Sequence, residues 1–332
     1  MSNDGQTITP QAQAAIASRY GARAVEVMPV SGGYSYNRRA VVCVGDMTVF
    51  AKEVDDTLVE GDGMTERKWL SKDYGVMTAL RKCGITCVPE WAELVMDGDV
   101  LLLPAYAADD GWLWQLPTSE PQRTRYIDAV VAATQQLERV QLPDDMVNTL
   151  ALQPFYRDEM ADSAGAETVR ADAVLRERLI AKYSERAQLS PSLGAMYDEL
   201  LVTLQSDERL RDLQAATQRL RDAPNDCFNH CDVRSDNVAY NDVTGEVKLV
   251  DWNWASYAPA RFGATEFLLD MARRGADVAP WKTAMSRELL ASFVGFYLIR
   301  SSKPPRHGGE ALRAMQAETA AVANYLYYKV MA

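Results

Sequence analysis

The chain has 332 residues, of which 48% are hydrophobic, so it can bury a sizeable core as one large domain or two lobes. Its formal net charge of −11 argues against nucleic acid or an anionic membrane surface as a partner, although an acidic balance also simply keeps proteins in solution. No stretch approaches the ~18 uninterrupted apolar residues of a membrane span. The N-terminus lacks the basic start and apolar core of a secretory signal, and the five cysteines lack the spacing of a zinc site. These features predict a cytoplasmic protein with reduced thiols.

The first hundred residues are predicted to be rich in strands. The predicted strands are 24–28, 39–44, 47–54, 88–93 and 100–103. Gly45-Asp46 indicates a tight hairpin between the second and third strands, and Asp97-Gly98-Asp99 a turn before the last. The apolar spacing over 64–83 predicts a helix. This part of the chain is therefore predicted to form a small sheet with one helix.

Beyond Leu103 the pattern becomes helical. It stays so from about Pro121 to Leu220, with breaks expected at Pro143, Pro154 and Pro191. A short buried strand is predicted over 247–251, followed mostly by helix to the end. The whole chain is therefore predicted to be α+β.

The run HCDVRSDN, from His230 to Asn237, carries the chemistry. It contains Asp232 and Asn237, and Asp251 follows at the end of an apolar strand. Phosphoryl transfer needs a carboxylate that orients and deprotonates the acceptor hydroxyl, and oxygen ligands that hold Mg²⁺ against the phosphates. Asp232 suits the first role, and the other two residues suit the second. A short pattern of this kind can also be a polar turn with a strand-end cap.

This motif, followed by Val250-Asp251-Trp252, resembles that of the aminoglycoside phosphotransferase family, the small-molecule branch of the protein-kinase-like fold. The resemblance implies a two-lobed fold with a small β-rich N-terminal nucleotide-binding lobe (1–103), a hinge (104–106) and a larger, mainly helical C-terminal lobe (107–332) that holds the catalytic loop and acceptor site. It also implies Mg²⁺, ATP or GTP as phosphate donor, and a small-molecule hydroxyl acceptor of cationic or sugar-like character. Oligomeric state is left open.

The resemblance also suggests which residues bind the nucleotide. Backbone groups of Ser31, Gly32, Gly33, Tyr34 and Ser35 would cover the phosphates. Lys52, at the end of a strand, resembles the lysine that contacts the α- and β-phosphates. Its acidic partner is expected at Asp73, with Glu66 as the other candidate. Ala105 or Tyr106 would supply the hinge donor to the purine, because Pro104 has no N–H.

The chain departs from the family pattern in one place that matters. Gly263 stands where the family has an aspartate that braces the catalytic loop, and Glu266 or Asp270 are possible substitutes. Arg234, inside the loop, could neutralise phosphate charge or cap the loop, and the sequence does not decide between the two.

An acceptor site is expected among acidic and aromatic side chains. Acidic and aromatic side chains that could bind a cationic acceptor, or form an ordinary acidic surface, are Asp109, Asp110, Trp112, Trp114, Tyr156, Arg157, Asp158, Glu159, Trp252, Asn253 and Trp254. The alternative to an enzyme is a nucleotide-binding pseudokinase or regulatory module with little transfer activity. A kinase acting on proteins is disfavoured, because no Ala-Pro-Glu element or long activation segment follows Asp251.

Overall fold

A computed structural model describes residues 7–30, 37–55, 66–152, 160, 164–304 and 309–332. The chain divides into two compact units. The first unit consists of the described residues of Met1–Ala129, Leu142–Ala151 and Asp236–Ala255. The second unit consists of those of Val130–Gln141, Leu152–Ser235 and Ser256–Ala332. The lobe boundaries predicted at residues 103 and 106 stay a prediction.

The first unit contains an antiparallel sheet of five strands in the order β1-β2-β3-β5-β4. The strands are β1 (Glu26–Pro29), β2 (Arg38–Val44), β3 (Met47–Glu53), β4 (Glu93–Val95) and β5 (Val100–Pro104). The predicted hairpin is confirmed, since Val44 faces Met47 and Gly45 adopts a φ of 61°. Helix α1 (Pro10–Arg19) begins at Thr9, whose hydroxyl accepts from the N–H of Ala12, and packs Ile16 into the core of this sheet.

Helix α2 (Glu66–Lys82) confirms the helix predicted over 64–83. It buries one face that includes Leu70, Asp73, Met77 and Leu80. The strand predicted over 88–93 is wrong, because regular pairing begins only at Glu93. Pro89 lies inside that stretch and cannot donate to a strand ladder.

A second sheet of the first unit places the end of the HCDVRSDN run. It consists of β6 (Trp112–Leu113), β8 (Val238–Asn241) and β9 (Val247–Leu249), in the order β6-β8-β9. The hairpin of β8 and β9 pairs Val238 with Leu249. The residue before β8 and the residues just after β9 therefore lie at the same end of this hairpin.

The remaining helices follow the predicted helical pattern. They are α3 (Glu120–Leu137), α4 (Asp144–Thr149), α5 (Gly165–Ala171), α6 (Ala173–Leu189), α7 (Gly194–Gln205), α8 (Asp207–Arg221), α9 (Phe262–Arg273), α10 (Arg287–Ser302) and α11 (Gly309–Tyr325). A π-helical turn, Leu326–Val330, continues α11. Helices α6, α8 and α10 begin after Asp172, Ser206 and Ser286, each of which accepts a hydrogen bond from a first-turn N–H.

A short antiparallel pair in the second unit flanks the HCDVRSDN run in the chain. It consists of β7 (Cys227–Asn229) and β10 (Ser256–Ala258). The strand-rich N-terminal part and mostly helical remainder confirm the predicted α+β class. No helix in the described part of the chain is long and apolar enough to cross a membrane.

Candidate active site

Lys52 lies at the centre of a buried charge cluster in the first unit. Its ammonium is 2.6 Å from Oδ1 of Asp251 and 3.5 Å from Oδ2 of Asp73, and Lys52 is only 4% exposed. Burial alone would lower the pKa of Lys52, but the charges of Asp251 and Asp73 outweigh it and raise that pKa above its usual value. The lysine is therefore held as a cation beside two carboxylates.

Asp73, rather than Glu66, contacts Lys52 from helix α2 among the described residues. The other carboxylate oxygen of Asp73 accepts a 2.9 Å hydrogen bond from the backbone N–H of Trp252. Burial raises the pKa of Asp73 to about 6. The positive charge of Lys52 opposes this rise, whereas the negative charge of Asp251 adds to it. Asp73 thus makes a loose ion pair with Lys52 and also fixes the backbone immediately after Asp251.

Asp251 has an unusual backbone conformation that its surroundings maintain. Its φ of 68° and ψ of 58° are left-handed, which a non-glycine residue adopts only at a cost of about 1 kcal/mol or more. The bond from the next N–H to Asp73 and the bond from Trp252 Nε1 to the Leu249 carbonyl hold the turn on both sides. A left-handed residue reverses the chain direction just after β9, so that the carboxylate projects from the strand end.

Asn237 lies beside this turn. Its carbonyl accepts a 3.0 Å hydrogen bond from the N–H of Val250, which extends the β8–β9 ladder to the residue before Asp251. Two oxygen-bearing side chains, an amide and a carboxylate, are thereby placed at one end of a hairpin. Mg²⁺ is usually bound by one or two protein oxygen ligands together with substrate phosphates, and this pair fits that chemistry. Within the described residues, no group of three or more His, Cys, Asp or Glu side chains could hold a metal on its own.

Asp232 lies in the second unit, on the loop that follows β7. Its Oδ1 is 2.8 Å from Nη1 of Arg234, and both side chains keep partial contact with solvent. Cys231, which precedes it, has a φ of 59° and a buried thiol directed towards the Asn229 and Ser256 carbonyls. Glycine would adopt this left-handed conformation without steric cost, whereas Cys231 adopts it at a cost.

Helix α9 braces the loop that carries Asp232 through two carboxylates. Oε2 of Glu266 accepts from the N–H of Val233 at 2.8 Å, and Oδ2 of Asp270 accepts from the N–H and hydroxyl of Ser235 at 3.0 and 2.9 Å. Residues four apart lie on one helix face, so the two carboxylates reach alternate residues of the loop. Both candidate substitutes for the missing aspartate therefore contact the loop.

The two brace residues differ in charge. Burial, reinforced by the negative charge of Asp232, raises the pKa of Glu266 to about 8, while the bond from Val233 opposes it. Burial would also raise the pKa of Asp270, but Arg273 and Arg274 lower it below its usual value. Burial thus favours the protonated form of Glu266, while the two arginines favour the ionised form of Asp270.

A third contact, which the sequence did not predict, takes the place of the expected aspartate. In this contact the acceptor comes from the residue before the motif, and the donor is a backbone N–H of the helix. Oδ1 of Asn229 accepts from the N–H of Gly263, in the first turn of α9, at 3.1 Å. A Cβ on Gly263 would lie 3.1 Å from that oxygen and 3.2 Å from Thr134. The Asn229 side chain therefore approaches the helix backbone closely, because Gly263 has no Cβ in the way. An asparagine just before the histidine of the motif is the only sequence signal.

The predicted hinge residues continue from β5. Pro104 pairs with Val49 of β3, the strand of Lys52. The hydroxyl of Tyr106 donates to Glu90 at 2.9 Å, and its carbonyl accepts from Trp114 Nε1 at 2.8 Å. Tyr106 is thus fixed at both its side chain and its backbone, while the role of this residue and of Ala105 in reading a purine stays a prediction.

Other predicted site residues have varied surroundings. The phosphate-covering segment 31–35 and the acceptor candidates 156–159 lie outside the described residues. Trp112 and Trp114 pack on the ring of Tyr106, with centroids 4.5 and 6.3 Å away. Trp252 is fully buried, whereas Asp109 and Asp110 are exposed. These aromatic rings therefore pack within the first unit, and acceptor binding by any of these residues stays a prediction.

Comparison with known proteins agrees with this architecture. A family model described as the phosphotransferase enzyme family (APH) matches residues 66–279, more than half of the chain. No curated protein matches the sequence significantly.

Solved structures share the fold at low sequence identity. Spectinomycin phosphotransferase APH(9)-Ia, in complex with ADP and spectinomycin, has a TM-score of 0.52 and 14% identity, covering 96% of this chain and 98% of its own. Choline kinase LicA from Streptococcus pneumoniae has a TM-score of 0.51 and 10% identity, covering 94% and 97%. A microcompartment-associated aminopropanol kinase has a TM-score of 0.50 and 12% identity, covering 94% and 96%.

The matched residues 66–279 include Asp73, the whole HCDVRSDN run, Asp251 and the bracing helix α9. The family match and the fold, with its strand-rich N-terminal part and helical remainder, point the same way. The chain belongs to the phosphotransferase enzyme family and has the protein-kinase-like fold.

Proposed function

We propose that this small-molecule phosphotransferase moves the γ-phosphoryl group of a magnesium-bound nucleoside triphosphate, ATP or GTP, to a hydroxyl group of a cationic or sugar-like acceptor. The acceptor oxygen forms a bond to the γ-phosphorus while the bond to the β–γ bridging oxygen breaks. The hydroxyl proton passes to Asp232, and the nucleoside diphosphate leaves with the bonding electron pair.

The observation that carries this proposal is the cluster of Lys52, Asp73 and Asp251 with Asn237 at the same hairpin end. A buried lysine held as a cation can bind the α- and β-phosphates. The Asn237 and Asp251 side chains would hold Mg²⁺, which when bound neutralises phosphate charge and orients the triphosphate. Asp73 then positions both the lysine and the turn that carries Asp251.

The remaining roles follow the sequence motif. Asp232 orients and deprotonates the acceptor hydroxyl from a loop held by Glu266 and Asp270. The segment 31–35 covers the phosphates, and the backbone at Ala105 or Tyr106 reads the purine. Most of the catalytic effect in such a site comes from positioning and charge neutralisation.

The acceptor class is supported by the net charge of −11, which favours cationic ligands. Proteins of the same fold are titled kinases or phosphotransferases of choline, aminopropanol and spectinomycin. Because identity to each is at or below 14%, these compounds serve as the starting members of a screen.

A pseudokinase is less consistent with the observed contacts. That alternative would be favoured if no acidic residue contacted Lys52 or if nothing replaced the aspartate missing at Gly263. Asp73 makes the lysine contact, and Asn229, Glu266 and Asp270 provide loop contacts in place of the missing aspartate.

The first test is calorimetric titration of ATP and GTP, with and without Mg²⁺, into the wild type and Asp251→Ala. We expect Mg²⁺-dependent binding of at least one nucleotide to the wild type and its loss in the variant. Asp222→Ala, an exposed aspartate at the end of α8, serves as the matched control and should bind like the wild type. Failure of the folded wild type to bind either nucleotide would contradict the proposed donor.

The second test measures turnover as nucleoside diphosphate released in the presence of choline, aminopropanol, spectinomycin and other cationic or sugar-like alcohols. Asp232→Asn should retain nucleotide binding but lose about 10²–10⁴-fold in kcat, the usual contribution of a positioned base. Full activity in that variant would remove Asp232 from the role of base.

A further inference from the structure

Arg39 is a second cation on the sheet face that carries Lys52, and the proposed function gives it no role. In the register of β2 and β3, Arg39 and Lys52 are directly opposite each other. Side chains of opposed residues project from the same face of an antiparallel pair, with their Cβ atoms about 4.5–5.5 Å apart. Burial and the charge of Arg39 both lower the pKa of Lys52, against the carboxylates that raise it. Two positive side chains therefore stand next to each other in the first unit.

The opposite face of this sheet belongs to the core under α1. Ala40 and Ala51, which follow Arg39 and precede Lys52 in their strands, are fully buried there together with Ile16 of α1. Successive side chains of a strand alternate between the two faces. The two cations are thereby directed away from this core, and Arg39 is only half-buried, so a ligand can reach it.

An apolar pair lies next to the two cations on the same face. Val41 and Phe50 are directly opposite each other in the register, and both are half-buried. They are two residues along the strands from Arg39 and Lys52, a distance of about 7 Å. A nucleotide joins a flat base to a chain of phosphates. This face thus offers apolar surface for the base beside positive charge for the phosphates.

The charges around Lys52 favour a bound polyanion. Like charges directly opposite each other on paired strands repel and destabilise the sheet. Asp251 and Asp73 offset the charge of Lys52 before any nucleotide binds. A triphosphate carries more negative charge than one Mg²⁺ neutralises, so a further cation improves its binding. A phosphate chain placed against Arg39 and Lys52 would also relieve the repulsion between them.

Asn37, two residues before Arg39, adds buried hydrogen-bonding capacity at the same cluster. Burial raises the pKa of Glu66, and the charge of Lys52 and the nearby amide of Asn37 oppose that rise. Asn37 is only 5% exposed, yet neither polar atom of its amide has the geometry of a hydrogen bond with any of the described residues. A buried amide without such bonds costs free energy, and a phosphate oxygen would satisfy its donor.

We propose that Arg39 binds phosphate oxygens of the nucleoside triphosphate beside Lys52, so that two cations of one strand pair recognise the donor. The planar guanidinium can bind two phosphate oxygens at once. This inference rests on the proposed function, since it requires a nucleotide on this face. It extends that function by naming a phosphate-binding residue of β2, outside both the HCDVRSDN run and the segment 31–35.

The test compares a nucleotide with its nucleoside, so it does not require the acceptor to be known. Calorimetry measures the binding of ATP with Mg²⁺ and of adenosine, or of GTP and guanosine if guanine is preferred. Arg39→Gln should weaken the triphosphate about ten- to a hundredfold, as expected for loss of a charged hydrogen bond, and leave the nucleoside within about threefold. Arg39→Lys, which keeps the charge without the planar fork, should fall between the wild type and Arg39→Gln.

The dependence of binding on sodium chloride gives a second readout. Salt screens the attraction between a phosphate and a cation, so it weakens binding of the triphosphate to the wild type. Arg39→Gln lacks one of these attractions and should show a smaller loss of affinity over the same salt range. An unchanged salt dependence would overturn the inference.

The matched control is Arg23→Gln, which removes an exposed arginine just before β1 in the same unit. This variant should bind the triphosphate and the nucleoside like the wild type. Urea unfolding without nucleotide shows in addition whether each variant remains folded.

Failures of the two proposals can be distinguished. Equal weakening of triphosphate and nucleoside in Arg39→Gln would assign Arg39 to the structure of the sheet, and no weakening would leave it outside the site. Either result refutes the inference alone. Absence of nucleotide binding in the folded wild type would refute the proposed function, and the inference with it.

Discussion

Replacing Glu266 with glutamine should stabilise the protein increasingly as pH rises. Glu266 is buried on helix α9, accepts a 2.8 Å bond from the N–H of Val233, and lies close enough to Asp232 for that charge to act on it. Its pKa is raised to about 8, chiefly by burial, from an ordinary value of 4.5. Glutamine has nearly the same shape as the protonated acid, and its carbonyl can accept the same bond.

The magnitude follows from proton linkage. Between pH 4.5 and 8 the folded protein keeps the Glu266 proton and the unfolded chain releases it, so the folded state binds more protons. The stabilising effect of this group is thus fully present below the unfolded pKa and is lost as pH rises through the folded pKa. The loss is about 1.4 kcal/mol per pH unit. Glutamine does not titrate, so the variant escapes this loss and should gain about 3 kcal/mol over the wild type at pH 7.

The assay is urea unfolding of the wild type and Glu266→Gln at pH 5, 6, 7 and 8, analysed at equal m-value. The difference in free energy of unfolding should grow by about 4 kcal/mol from pH 5 to pH 8. Glu185→Gln, which replaces an exposed glutamate on α6, is the control for the loss of a surface carboxylate. A flat difference for Glu266→Gln would refute the assignment of a protonated, buried brace.

Three further predictions concern other contacts. Lys52→Met should destabilise the protein by about 3–5 kcal/mol in denaturant unfolding, because Asp73 loses its buried counter-ion. The double variant Lys52→Met/Asp73→Asn should recover part of that loss. Equal destabilisation in both variants would contradict the ion pair. Asp270→Ala should cost about 1–3 kcal/mol and lower kcat, since the N–H of Ser235 is left buried without its acceptor, and unchanged turnover would show that the loop does not need this brace. Gly165→Ala should destabilise by about 1–3 kcal/mol because its Cβ would lie 2.0 Å from the Gly295 carbonyl. The paired Gly194→Ala, with open space around it in a helical conformation, should instead stabilise by about 0.5–1 kcal/mol, and a loss of stability at both sites would contradict the packing argument.

The order of the elements and the chemistry-bearing motif could be predicted from the sequence, because both depend on local patterns. The β2–β3 hairpin, helix α2 and the helical C-terminal region follow from turn residues and apolar periodicity. The one wrong strand, over 88–93, had apolar residues but also a proline. The carbonyl of Cys87, just before that stretch, accepts from the N–H of Leu249 outside a regular ladder, which no local pattern reports.

The partner of Lys52 depended on tertiary structure. Glu66 and Asp73 are seven residues apart, which is two helical turns, so both lie on one face of α2 and periodicity cannot distinguish them. The choice depends on where the helix packs along the sheet. That placement brings Asp73 to both Lys52 and the turn after Asp251.

The sequence by itself determined the fold class, the family resemblance and the residue types available for phosphoryl transfer, because spacing along the chain sets which groups share a strand end or a loop. Only the tertiary structure decided how the departures from the family pattern are compensated. Asn229 meets Gly263 across 34 residues of chain, and Glu266 and Asp270 reach back to the catalytic loop over 33 and 35. Contacts between residues so far apart depend on how the helix packs against the loop, and this packing is set by the whole core rather than by any local pattern.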